Sequence, residues 1–238
     1  MDTEKHMRQL SLLTSTFDVA WAGRDDVYVG GNMFVYFSAL QIKKNDFRGP
    51  DLFIVLNTKK RVRKSWVVWE EGGRTPNVVV EFVSPTTEHV DRGEKMRIYS
   101  RLLRVPNYFI FDPETLQLDG FQLDLQSSTY VPIKPDANGD LDCSELGLRV
   151  GVRQGQFGGI NDHWLRFIDK SGHILPTSDD VAKQQTENAR LANEQARQAR
   201  DELRASEERA QQEARLRADL EQRLADALAK LEQQRATH

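Results

Sequence analysis

Apolar positions along this chain change rhythm several times, and each change marks an element. Met7, Leu10, Leu12-Leu13, Phe17 and Ala20-Trp21 fall at spacings that predict an amphipathic helix closing near Gly23, with Glu4 and His6 at its start. Val27-Tyr28-Val29 and Met33-Phe34-Val35-Tyr36-Phe37 flank Gly30-Gly31-Asn32, which predicts a β-hairpin because Gly and Asn tolerate the positive φ of such turns. Residues 41–48 form a polar, basic loop that leads through Gly49-Pro50-Asp51 into the apolar run Leu52-Phe53-Ile54-Val55-Leu56. Trp66-Val67-Val68-Trp69 and the turn Glu70-Glu71-Gly72-Gly73 precede the run Val78-Val79-Val80-Glu81-Phe82-Val83. This run is β-branched and bounded by Pro76-Asn77 and Ser84-Pro85, so it reads as a buried strand with Val79, Glu81 and Val83 on one face.

Thr87 is a candidate N-cap for a helix over residues 88–103, which Pro106 ends. Tyr108-Phe109-Ile110-Phe111, closed by Asp112-Pro113, is another buried strand, and strand, helix, strand in this order predicts a parallel crossover. Residues 116–133 alternate as antiparallel edge strands do. Residues 147–152 and 164–168 read as two further short strands, and the segment ends at Leu175-Pro176-Thr177. From Ser178 onward there is no Gly, Pro or aromatic residue, and Ala, Glu, Gln, Arg and Leu dominate. The pattern predicts two regions, a mixed α/β (α+β) domain over residues 1–177 and a long charged helix over 178–238. Leu203, Ala210, Leu224 and Leu231 share a heptad phase that Arg217 interrupts, while Leu216, Leu220, Leu224 and Leu228 step by four, so the coiled-coil pattern is imperfect.

Chemistry enters with Glu81, because a carboxylate inside an apolar strand needs a partner. Asp51 offers a second carboxylate at a strand entrance, and Asp91, Lys95 and Tyr99 recur every four residues on one helical face. Two carboxylates and a lysine on neighbouring elements suit a divalent-metal hydrolytic site. Each residue also has a plainer reading: Glu81 as an ion pair across the sheet, Asp51 as a turn aspartate after proline, and Lys95 as a helix lysine bonded to Asp91. The run Lys59-Lys60-Arg61-Val62-Arg63-Lys64 is either a solvated loop or a phosphate-contacting edge beside the acidic site. His6, His89, His163 and His173 show no paired spacing, which argues against a histidine metal site or a Ser-His-Asp triad.

Composition narrows the partners. A hydrophobic content of 39% over 238 residues allows one sizeable core with an extension, and the net charge of −3 requires any nucleic-acid contact to use a local patch. A single cysteine, Cys143, excludes an intramolecular disulfide and a cysteine-rich zinc site and fits a reducing compartment. No run approaches the roughly 20 apolar residues of a membrane span, and the N-terminus has no apolar signal core, so the expectation is a cytoplasmic protein with no membrane partner.

Gly49-Pro50-Asp51, Trp69-Glu70-Glu71-Gly72-Gly73, the stretch from Pro76-Asn77 through Glu81 to Ser84-Pro85-Thr86, Asp91 with Lys95 and Tyr99, and Pro106-Asn107-Tyr108-Phe109-Ile110-Phe111-Asp112-Pro113 occur in an order that resembles the Uma-two family of endonucleases. That family belongs to the PD-(D/E)XK restriction-endonuclease-like superfamily, and the similarity covers residues 4–176. The resemblance implies a restriction-endonuclease-like core with a mixed central sheet flanked by helices. It implies that Asp51 and Glu81 occupy the two acidic, metal-binding positions for Mg²⁺, with Mn²⁺ as a substitute. The superfamily's lysine, usually two residues after the second acid, is Val83 here, and Lys95 is the candidate for a migrated catalytic lysine. Glu4 matches an accessory acidic position of some members. The implied activity is Mg²⁺-dependent endonucleolytic hydrolysis of DNA. The alternative is a non-catalytic nuclease-fold interaction protein that assembles, as a homodimer or weak homo-oligomer, through its helical tail.

Overall fold

The computed structural model describes residues 3–38, 47–83 and 88–236, with side chains to residue 227. It divides into two compact units, Met1–Val181 and Ala182–His238. In the first unit, α1 (Glu4–Ala20) starts at Thr3, whose side chain accepts a hydrogen bond from the His6 amide. The helix buries Leu12, Leu13 and Phe17 as one stripe. Gln9, 1% exposed, sits on the same stripe, and its amide both donates to and accepts from the Leu165 backbone at 3.0 and 2.9 Å. A buried amide satisfied on both sides fixes where the helix docks.

The strands are β1 (Val27–Gly31), β2 (Val35–Tyr36), β3 (Phe47–Arg48), β4 (Leu52–Leu56), β5 (Trp66–Val67) and β6 (Val78–Phe82). Next come α2 (Glu88–Val90), a π-helical turn (Asp91–Lys95), α3 (Met96–Arg101) and β7 (Asn107–Phe111). The unit continues through β8 (Leu118–Asp124), β9 (Thr129–Pro132), β10 (Leu141–Cys143), β11 (Leu148–Phe157) and β12 (Ile160–Ile168). The central sheet has six strands in the order β1-β4-β6-β7-β8-β9, with β6 and β7 parallel and the other neighbours antiparallel. The parallel pair is joined through α2, the π turn and α3, as the strand-helix-strand pattern predicts. Two three-stranded sheets, β10-β11-β12 and β3-β2-β5, complete the fold.

Alternation along β6 divides the core in two. Val78, Val80 and Phe82 join Leu12, Leu13 and Phe17 of α1 and Trp164 and Phe167 of β12. Val79 and Val83 join Ile98, Tyr99, Leu103 and Tyr108 on the opposite face. Each of these large side chains contributes on the order of 1.5–3 kcal/mol through burial. Glu81 shares the second face and therefore opens toward the π turn and α3.

Two expectations change, and a third is not reached. The hairpin over residues 27–37 does not form: β1 pairs with β4, and β2 pairs with β3 and β5. Gly30 is needed for close approach, since a Cβ there would lie 2.4 Å from the Phe53 ring, and Asn32 alone takes a positive φ of 46°. The two short strands near residues 147–168 are instead ten- and nine-residue arms of one hairpin, turned at Gly158 and Gly159 with φ of 55° and 80°. The candidate N-cap Thr87 and most of the loop over residues 41–48 lie outside the described residues.

The final helix, α4 (Ser178–Ala236), opens on a reciprocal cap. The Asp180 amide donates to Thr177 Oγ1 at 3.2 Å, and Asp180 Oδ2 accepts from the Thr177 amide at 2.9 Å. Asp180 also meets Arg166 at 3.2 Å, and Ser178 meets Ser15 at 2.7 Å. Beyond Ala182 the helix carries exposed Leu191, Leu203, Leu216, Leu220 and Leu224 and is laced with i,i+4 pairs such as Arg204–Glu208. Among the described residues no helix is long and apolar enough to cross a membrane.

Candidate active site

Extending the register that pairs Leu52 with Val80 sets Asp51, the residue before β4, opposite Glu81. Gly49-Pro50 delivers the chain to this point, and the Asp51 carbonyl accepts from the Asn32 amide at 2.9 Å. Its side chain is fixed at both oxygens: Oδ2 accepts from the Phe82 amide at 2.6 Å, and Oδ1 meets His6 Nε2 at 3.1 Å. The His6 ring stands edge-on to Phe82, 5.1 Å between centroids. Asp51 is thus held where the ladder between β4 and β6 ends.

Glu81 is 1% exposed. Oε1 accepts from the Tyr99 hydroxyl at 2.7 Å and Oε2 from Lys95 Nζ at 2.9 Å. Lys95 Nζ also lies 2.7 Å from Asp91 Oδ1, so one ammonium bridges two buried carboxylates. The Asp91 carbonyl accepts from the Tyr108 hydroxyl at 3.1 Å, and the Tyr99 and Tyr108 rings meet edge to face. The four-residue spacing of Asp91, Lys95 and Tyr99 therefore brings all three into one polar cluster with Glu81, through a π turn where an ordinary helical turn was expected.

Burial pushes the Glu81 carboxyl up to about 8; the Lys95 ammonium pulls it down, but the negative charges of Asp51 and Asp91 push the other way. Burial alone would lower Lys95, yet Glu81 and Asp91 outweigh it and hold the ammonium charged. Burial first, and the Glu81 charge second, raise the Tyr99 hydroxyl well above its ordinary value, which keeps it a neutral donor. Three acidic side chains, Asp51, Glu81 and Asp91, are grouped with one ammonium, which touches Glu81 and Asp91, while His6 lies against Asp51. Such an excess of negative charge favours a bound cation. Among the described residues no group of three or more His, Cys, Asp and Glu side chains forms a ready-made metal cage. Asp51 and Glu81 fit the coordination habit of Mg²⁺, which keeps several waters and takes one or two carboxylates.

The structure thus joins Glu81 to Lys95 directly and sets Asp51 opposite Glu81. The plainer reading of Lys95, bonded to Asp91, also holds, whereas Glu81 takes its ion-pair partner from the π turn and not from across the sheet. Glu4, by contrast, is bonded to Arg8 on the exposed side of α1. The residue of α1 that reaches the site is His6, which no spacing among the histidines singled out. A usable signal was its place three residues before Gln9 and seven before Leu13, on the stripe that the helix buries.

The cationic run 59–64 leaves the sheet at the end of β4 opposite Asp51, and all of it but Arg63 is exposed. Arg61 and Arg63 both bond Glu71 at 2.7 Å, and the buried Arg63 guanidinium covers Tyr28 and Trp66 at 4.6 and 4.8 Å from the ring centroids. Arg63 is a core-sealing residue, and the run is not an edge beside the acidic cluster.

A protein of Synechocystis sp., Uncharacterized protein slr1290, is 23% identical over 126 residues, which cover 52% of this chain and 63% of that protein. The chain therefore matches less than two thirds of that relative's length. The crystal structure of "a putative nuclease belonging to DUF820" from Anabaena variabilis aligns with a TM-score of 0.42 at 12% identity, over 58% of this chain and 72% of that one. Residues 1–153, which contain every member of the acidic cluster, match the Uma2 family, whose description is "Putative restriction endonuclease". The chain belongs to that family.

Proposed function

We propose that the protein is a Mg²⁺-dependent endonuclease that hydrolyses DNA phosphodiester bonds, with Asp51 and Glu81 holding the ion and Lys95 acting on the reacting phosphate. The observation that supports this most is Glu81, a buried carboxylate with Asp51 opposite it and one ammonium shared with Asp91. Bound there, Mg²⁺ or Mn²⁺ would screen the phosphate charge and lower the pKa of the attacking water. His6 and the Phe82 amide orient Asp51, and Tyr99 orients Glu81. Lys95, charged throughout the neutral range, donates a proton-bearing corner to the water or to a non-bridging oxygen.

Titration calorimetry with Mn²⁺ or Mg²⁺, paired with cleavage assays on single-stranded, duplex and branched DNA, tests this assignment. Asp51→Ala is expected to weaken ion binding and remove cleavage while leaving a folded domain. Unchanged affinity in both Asp51→Ala and Glu81→Ala variants would overturn the metal assignment. Lys95→Ala should lower turnover by about 100-fold or more, as loss of one transition-state donor does, while keeping or strengthening ion affinity. Unaltered turnover would show that Lys95 is structural. A chain that binds the ion yet cleaves no DNA would favour the alternative, a nuclease fold kept as an interaction scaffold.

The part of α4 from about Thr186 to Ala236 is proposed as a self-association element that takes no part in the chemistry. A polar helix of this length is marginal alone, and Leu203, Leu216, Leu220 and Leu224 supply a narrow apolar stripe for a second copy. Truncation after Val181 retains the Thr177–Asp180 cap and the Arg166 contact. It should leave a folded domain and shift dimer toward monomer in sedimentation at several concentrations. Monomeric mass for the full-length chain throughout would refute the assembly role.

A further inference from the structure

We propose that Phe34, Tyr36 and Phe47 form a stacking surface for an unpaired DNA base beside the scissile phosphate, so that the preferred substrate is single-stranded or carries an unpaired stretch; this rests on the nuclease reading above. The pairing of β2 with β3 sets Tyr36 directly opposite Phe47. Alternation along β2 places Phe34 and Tyr36 together on the face away from Val35, which is fully buried. The three rings meet one another: Phe34 and Phe47 edge to face at 4.9 Å, and Tyr36 and Phe47 tilted at 5.4 Å. Phe34 is nonetheless 50% exposed. Single exposed rings are ordinary, but three converging on one spot make a surface with a π-face to offer.

Two connections put this surface at the rim of the acidic cluster. A Cβ on Gly49 would lie 3.3 Å from the Phe34 ring, so that ring lies over the backbone two residues before Asp51. On the other side, Arg48, next to Phe47, is ion-paired with Glu94, the residue before Lys95. The rings are thus tied both to the strand entrance that carries Asp51 and to the turn that carries Lys95.

Charge indicates the occupant. The net charge of −3 gives no global field for duplex phosphates, and among the described residues Arg61 and Arg63 of the densest cationic run are committed to Glu71. Stacking needs no such field, yet it needs an open base face, which duplex DNA does not present. An unpaired base meets both conditions.

The test uses the full-length chain in a Glu81→Gln background, in EDTA, so that binding is read without cleavage. Fluorescence anisotropy compares a labelled oligodeoxythymidine of about 20 nucleotides, long enough for one aromatic site, with a duplex of similar length. Phe34→Ala should weaken single-strand binding about tenfold, in line with about 1–3 kcal/mol per stacked base, and change duplex binding less than about twofold. Phe34→Tyr should bind as the parent does, whereas Phe34→Leu, which keeps an apolar side chain without a π-face, should lose as much as Phe34→Ala. Unchanged single-strand binding in Phe34→Ala, equal loss on single strand and duplex, or full retention in Phe34→Leu would each overturn the proposal. So would a Phe34→Ala effect confined to sedimentation mass, which would assign the rings to contact with a second copy. A parallel cleavage assay with Glu81 restored separates the two readings. Phe34-dependent single-strand binding without cleavage leaves the stacking surface standing and sinks the nuclease reading. Cleavage that Phe34→Ala leaves untouched, with single-strand binding unchanged, does the reverse.

Discussion

Replacing Glu81 by Gln is expected to silence DNA hydrolysis and, without divalent ions, to make the protein more resistant to heat at alkaline pH. In the folded chain Glu81 holds its proton up to about 8, whereas unfolded it would ionise near 4.5. Between those values the folded state binds more protons than the unfolded state, so stability falls as pH rises. Above about 8 the carboxylate is charged in both states and the full penalty of burying it is carried. At about 1.4 kcal/mol per unit the window allows several kcal/mol, and Lys95, held charged by Glu81 and Asp91, returns part of it. A net gain of roughly 1–3 kcal/mol for Glu81→Gln, or about 3–10 °C in melting temperature, is expected at about pH 9, vanishing near pH 5. Identical melting curves for the two proteins at both pH values would remove the charge-strain argument. Added Mg²⁺ should raise the wild-type melting temperature and leave that of Glu81→Gln almost unmoved.

A second large effect is expected far from the chemistry. Arg153 Nη2 donates to both oxygens of Asp140 at 2.6 and 2.7 Å, and the Asp140 side chain is 1% exposed. The carboxylate lies so close over β11 that a Cβ at Gly151 would stand 1.9 Å from its Oδ1. Arg153→Ala leaves this charge buried without its cation, which costs roughly 3–5 kcal/mol. Urea unfolding should register the loss, and the double variant Asp140→Asn, Arg153→Met should recover much of it. A loss below about 1 kcal/mol in Arg153→Ala would mean that water reaches Asp140 readily.

The parts of the site that were legible in the sequence are those set by local periodicity. A carboxylate in the apolar run of β6 marks itself, and the four-residue spacing of Asp91, Lys95 and Tyr99 survives the change from α to π geometry. What escaped was decided by partners distant in sequence. Gly30-Gly31-Asn32 carries the local signal of a turn, yet Gly30 is there for Phe53, across the β1–β4 pairing. His6 looks like a helix-entry residue because its partner, Asp51, is 45 positions away. Arg63 belongs to a run that reads as solvated, but a guanidinium can bond Glu71 and cover two rings at once, which a lysine cannot match. Asp91-Arg92-Gly93-Glu94-Lys95 has no sequence mark of a π turn.

That π turn also preserves the phase of the polypeptide on either side of it. A π turn is in effect an α-helix with one surplus residue, and each residue rotates an α-helix by about 100°. Gly93, exposed and with open space around its Cα, sits in the middle of this surplus. Deleting it would let α2 and α3 fuse into regular α-helix and improve the backbone hydrogen bonding. The flanks would keep nearly the same phase, because the step from Asp91 to Lys95 would fall from four residues to three, which still share a helical face. The extra residue therefore loosens the helix at the turn whose lysine meets both the Asp91 and the Glu81 carboxylates.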